Sequence, residues 1–142
     1  MADANLRLRT DDVVADAPVP LAEFLAGANT AAVRLEPGDD ARVLVPHLAR
    51  LALVEIGFPK FRDGRGYSAA RILREAGYAG EIRAQGDVLV DQIGFMVRVG
   101  FDSFAPVKPL DPAVTKLTRE RYSNVYMKAA DGRPPIWALR HG

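Results

Sequence analysis

Three cations fall within six residues at Lys60, Arg62 and Arg65, inside the run Phe58-Pro59-Lys60-Phe61-Arg62-Asp63-Gly64-Arg65-Gly66-Tyr67-Ser68. Planar guanidinium groups suit two-point contact with sulfate, sulfite, phosphate or carboxylate. With Arg71 included, four cations against the single Asp63 leave a local charge of +3. Gly64, Tyr67 and Ser68 place this charge on a tight turn before a helix, where backbone N–H groups also favour anions. A structural reading competes: Asp63 pairs with its neighbours on the surface, which contributes little. Two phosphate sites are excluded by spacing. The Gly-x-x-x-x-Gly-Lys pattern is missing, and Gly64-x-Gly66 has no third Gly three positions on.

Two carboxylates are the candidates for acid–base work. Glu55 interrupts an otherwise apolar run from Leu51 to Ile56, where a charge is costly unless paired. Arg83, on the strand expected alongside, is its natural partner; the two form either part of a site floor or a structural ion pair. Asp91 follows Asp87 by four residues at the start of one helical segment. Asp87 suits an N-cap, and Asp91 could act as a base or hold a polar substrate. His47 and His141 are the only histidines, and no Ser–His–Asp arrangement can be built from them.

Composition bounds what these residues can do. The chain has 142 residues, 49% hydrophobic and 26% charged, which fits a single α/β domain over 1–142. A net charge of +1 offers nothing global to nucleic acid or membrane, so any basic site is local. With no cysteine, the chain lacks a thiol nucleophile, a redox disulfide, a Cys-ligated zinc site and a self-held iron–sulfur cluster. No metal site and no bound cofactor are expected. The lack of a long apolar run or a signal-peptide core makes the cytoplasm the expected location.

The elements that must position these residues alternate. Strands are expected at Asp12–Ala15, Ala31–Glu36, Leu51–Ile56, Gly80–Ala84 and Phe101–Ala105. Helices are expected at Pro20–Ala26, after Asp39 or Asp40 with a break at Pro46, from Ser68 to Gly77, at Val88–Val99 capped by Asp87, and from about Pro112 to Lys128. Gly77-Tyr78 and Gly100-Phe101 repeat one pattern: a helix-ending Gly, an aromatic residue, then a strand. About five βα units imply a mainly parallel open sheet with helices on both faces. A partial βα-barrel completed by a partner is the alternative, since a full barrel needs about 250 residues. The tail over 129–142 is expected to be extended, with Trp137 docking on its own core or on a second subunit.

Phe58-Pro59-Lys60-Phe61, Asp63 to Ser68, Ala70-Arg71, Leu73-Arg74-Glu75, Gly86-Asp87-Val88-Leu89, Asp91-Gln92 and Gly100 to Phe104 together resemble a bacterial family. Its members are labelled as oxidoreductases of sulfite reduction, and their genes sit beside those for sulfite reductase and adenylyl-sulfate reductase. The resemblance implies an accessory protein of assimilatory sulfate or sulfite reduction, with one of those reductases as partner. On this expectation Lys60, Arg62, Asp63, Gly64, Arg65, Tyr67, Ser68, Arg71 and Arg83 hold a small oxyanion or a reductase. One alternative is a small lyase, hydrolase or transferase with Glu55 or Asp91 as acid–base and Arg65 as anion holder. Another is a structural homodimer or scaffold.

Overall fold

The computed structural model describes residues 6–60 and 64–130. Six strands form one sheet: β1 (Leu6–Arg7), β2 (Val19–Pro20), β3 (Ala32–Leu35), β4 (Leu53–Phe58), β5 (Glu81–Gly86) and β6 (Ser103–Pro106). Their order is β1-β6-β5-β4-β3-β2. The β1–β6 pair is antiparallel and every other pair is parallel. The sheet is open and mostly parallel, as expected, and does not close into a barrel.

Five connections follow β2 to β6 in turn: α1 (Leu21–Leu25), a 3-10 segment (Ala41–Arg50), α2 (Arg65–Glu75), α3 (Ile93–Val99) and α4 (Pro112–Ala130). Because β2 to β6 lie side by side in sequence order, right-handed crossovers send the first four of these connections to the same face. The core agrees. Val33, Leu35, Val54, Ile56, Phe58, Ile82, Ala84 and Phe104 join Phe24, Leu44, Ala70, Leu73 and Met96 in one apolar cluster. These strand positions alternate with the other face, so the helical layer is one-sided where the sequence suggested two. The opposite face carries Arg34, Glu55, Arg83, Gln85 and Ser103. All six β4 residues are buried, under helices on one side and largely under paired charges on the other.

Local boundaries follow specific contacts. The first strand was expected at Asp12–Ala15; the chain instead pairs at Leu6–Arg7 and Val19–Pro20, on opposite edges of the sheet. The 8–18 link therefore crosses about 24 Å of sheet. It is tied at one end by Leu8 N–H to Asp102 O and at the other by Ala31 N–H to Asp16 Oδ2. Pro46 does not break its helix. It sits within a continuous 3-10 segment, Ala41–Arg50. Asp40 caps that segment by accepting from Arg42 N–H.

Helix α2 buries Gly66, Ala69, Ala70, Leu73 and Arg74 along one side. It ends where Gly77 adopts a φ of 95°, so that Gly77 N–H reaches Arg74 O and Tyr78 N–H reaches Leu73 O. Gly100 repeats this after α3, as the sequence echo suggested. Helix α3 starts later than expected. A 3-10 turn at Val90–Gln92 precedes it, with Gln92 Oε1 accepting from Leu89 N–H, so Asp87 is not its N-cap. Helix α4 continues to Ala130, two residues past the expected end, and the tail with Trp137 lies outside the described residues.

Candidate functional site

Parallel strands β3, β4 and β5 end together, and the loops leaving their carboxyl ends are where open α/β sheets bind ligands. A cleft of about 360 Å³ opens there, lined by Arg34, Glu36, Gly57, Phe58, Pro59, Gln85, Gly86, Asp87 and Val107. Lys60 is exposed just beyond Phe58 and Pro59. Arg65, also exposed, opens α2, and its Nη1 lies 3.8 Å from where a Cβ on Gly38 would stand. The turn after β3 and the start of α2 thus meet above the strand ends.

The remaining loop residues divide. Gly64 is the N-cap of α2 with a helical φ of −75°, and a Cβ there would meet nothing within 4 Å among the described residues. Glycine is not required at that position. Gly66 is different: a Cβ would stand 2.4 Å from Phe58 Cζ, so its role is to let α2 lie against β4. Tyr67 packs on Phe58 at 5.4 Å and on Phe95 at 5.2 Å between ring centroids. Burial pushes the Tyr67 hydroxyl above its ordinary pKa. Ser68 and Arg71 are exposed. Arg71 lies six residues from Arg65, well round the helix from it. Arg62 and Asp63 lie outside the described residues.

Arg83 is not part of that loop. It sits mid-sheet on the face away from the helices, directly across from Glu55 in the β4–β5 register. Arg83 donates from Nε to Glu55 Oε2 at 2.7 Å, and its Nη2 lies 2.6 Å from the same oxygen. The pair expected from sequence is therefore present. Arg34, on β3, makes it a triad, with Nη1 3.2 Å from Glu55 Oε1 and a further hydrogen bond to Gln85 Oε1. Glu36 Oε2 lies 3.0 Å from Arg34 Nε, yet among the described residues no acceptor completes a hydrogen bond to that nitrogen. Arg34 thus links the buried triad to the cleft. Glu55 is 1% exposed and already holds two guanidiniums. Asp91 is exposed in the turn before α3 and does not line the cleft. The structure does not bring Glu55 and Asp91 together there.

A second cluster went unnoticed in the sequence. Arg74 is buried on α2 and donates from Nε and Nη2 to Gly100 O, and from Nη1 to Tyr78 O and Gly80 O. Its Nη2 also reaches Asp102 Oδ2 at 3.1 Å, and Arg9 Nη1 reaches the same oxygen at 2.7 Å. Asp102 Oδ1 accepts from Ile82 N–H at 2.8 Å. Burial pushes the Asp102 carboxyl above its usual range, and the Arg74 and Arg9 guanidiniums oppose that rise. One signal could have exposed this hub: Arg74 occupies an inward position in the otherwise small and apolar row Gly66, Ala69, Ala70 and Leu73.

Among the described residues, no helix is long and apolar enough to cross a membrane. No curated protein and no solved structure matches the chain. A family model described as a bacterial protein of unknown function (DUF934) matches residues 32–137, from β3 through the cleft and the loop to Arg74 and Asp102 of the buried hub, without Arg9. Covering most of the sequence, that match establishes that the chain belongs to this bacterial family.

Proposed function

We propose that this chain is an accessory protein of assimilatory sulfate or sulfite reduction. In this reading the Lys60–Ser68 loop binds a small oxyanion or a reductase partner. One observation carries it: exposed Lys60 follows the cleft-lining Pro59 at the carboxyl end of β4, and exposed Arg65 opens an eleven-residue helix beside the turn after β3. Charge at a helix start and guanidinium geometry both favour a tetrahedral or pyramidal oxyanion there. The resemblance in sequence supplies the pathway. Arg83, held by Glu55, supports the sheet beneath the cleft and does not touch the anion.

A deletion strain tests the pathway. Supplied in turn with sulfate, sulfite and sulfide, it is expected to grow normally only on sulfide. Normal growth on all three sources would remove the assignment.

A further inference from the structure

The surface between α2 and α3 has a composition that the oxyanion loop does not explain. Tyr67 and Phe95 meet there with ring centroids 5.2 Å apart and planes at 67°. Tyr67 also packs on Phe58 and Phe101, so this aromatic pair is anchored in the core. Phe95 nevertheless leaves 47% of its surface exposed. Leu89 and Val90, just ahead of α3, are 40% and 44% exposed.

Arginines flank the pair. Arg71 lies one turn past Tyr67 at i, i+4, and Arg98 lies one turn past Phe95 at i, i+3. Both are exposed, and among the described residues neither makes an ion pair or hydrogen bond. A rigid aromatic centre with arginines beside it is the composition of a binding hot spot, not of an ordinary solvated face.

We infer that this patch docks an acidic surface of another protein, which sets an apolar side chain against Phe95 and carboxylates against Arg71 and Arg98. The inference rests on the preceding reading and names the surface by which a reductase would be held. A small oxyanion would leave the aromatic pair uncovered.

The test uses the full chain against purified sulfite reductase of the same bacterium, read by biolayer interferometry. Three variants are compared: Phe95→Ser, the double charge reversal Arg71→Glu with Arg98→Glu, and Arg65→Ala in the oxyanion loop. Circular dichroism confirms that each folds. The double reversal is expected to weaken binding by about thirtyfold or more, and wild-type association is expected to slow as salt rises. Wild-type binding that neither patch variant disturbs would overturn the docking surface and leave the pathway reading standing.

If wild type does not bind the reductase, the partner reading fails, and a photo-crosslinking residue at position 95 in living cells then decides the patch. A crosslink to an acidic segment of another protein, lost on the double reversal, upholds the inference. A crosslink to a second copy of this chain, or none at all, overturns it.

Discussion

The two ends of the sheet hold similar numbers of charged groups and treat them in opposite ways. At the amino ends of β5 and β6, Arg74, Asp102 and Arg9 are interlocked, with Asp102 fully buried and bonded to both arginines and to a backbone N–H. At the carboxyl ends, Lys60, Arg65 and Glu36 are exposed, Glu36 lining the cleft and ion-paired with Arg34. Size does not separate the ends. A hollow of about 410 Å³ lies near the amino ends, but Leu48, Ala49, Leu51 and Gly77 to Gly80 line it without a charged group. The lesson is that burial of the charged groups, more than cavity volume, separates the structural charge cluster from the one open to solvent.

The amino-end hub should break most dramatically. Asp102→Ala leaves two guanidiniums without their shared carboxylate, and Arg74→Met also orphans Gly100 O, Tyr78 O and Gly80 O. Each is expected to lower stability by about 3–5 kcal/mol in urea titration. A loss below about 1 kcal/mol would show that this end is not the structural anchor.

The mid-sheet triad should rank next. Glu55→Gln keeps the shape but removes the charge shared by Arg34 and Arg83, with an expected loss of about 2 kcal/mol. Such a variant should still fold and bind an oxyanion. Loss of binding without loss of stability would instead put Glu55 in the site.

The smallest expected effect is a pH dependence at the edge of the hub. A hydrogen bond from Arg9 holds the Asp11 carboxyl below its ordinary value of 3.8. A carboxylate with a lowered folded-state pKa contributes stability above its unfolded pKa and loses it as pH falls through the folded one. Asp11 is 56% exposed, so screening limits the contribution to about 0.5 kcal/mol. Asp11→Asn should therefore lower stability by about 0.5 kcal/mol at pH 7, with the deficit vanishing below pH 4, where wild type loses the same contribution.

Much of this contrast was legible in the sequence, for uneven physical reasons. Strands β3 to β6 announced themselves through apolar runs and Gly punctuation, and five βα units are present. Yet β4 runs from Leu53 to Phe58, two residues later than its apolar run, because Gly57 and Phe58 pair with Gln85 and Gly86. Gly-Phe-Pro looks like a loop until a partner strand is supplied. The Glu55–Arg83 pair was readable because parallel neighbours on one face leave few partners for a buried charge. The Arg74 hub was not, since its acceptors are carbonyls at Tyr78, Gly80 and Gly100 whose convergence depends on the fold. Strand β1 escaped for a similar reason: Leu6 and Arg7 gain strand character only by pairing with Phe104 and Ser103.

The contrast between the ends is tested most directly by isothermal titration of sulfite into wild type, Arg65→Ala and Asp11→Asn, all at pH 7. Exposed Arg65 should cost less than about 0.5 kcal/mol of stability when truncated, so its variant remains a folded receptor. The expected result is saturable binding by wild type and by Asp11→Asn, with at least tenfold weaker binding by Arg65→Ala. Equal affinity in all three proteins, or no binding to any of them, would contradict the assignment of the oxyanion site to the carboxyl end.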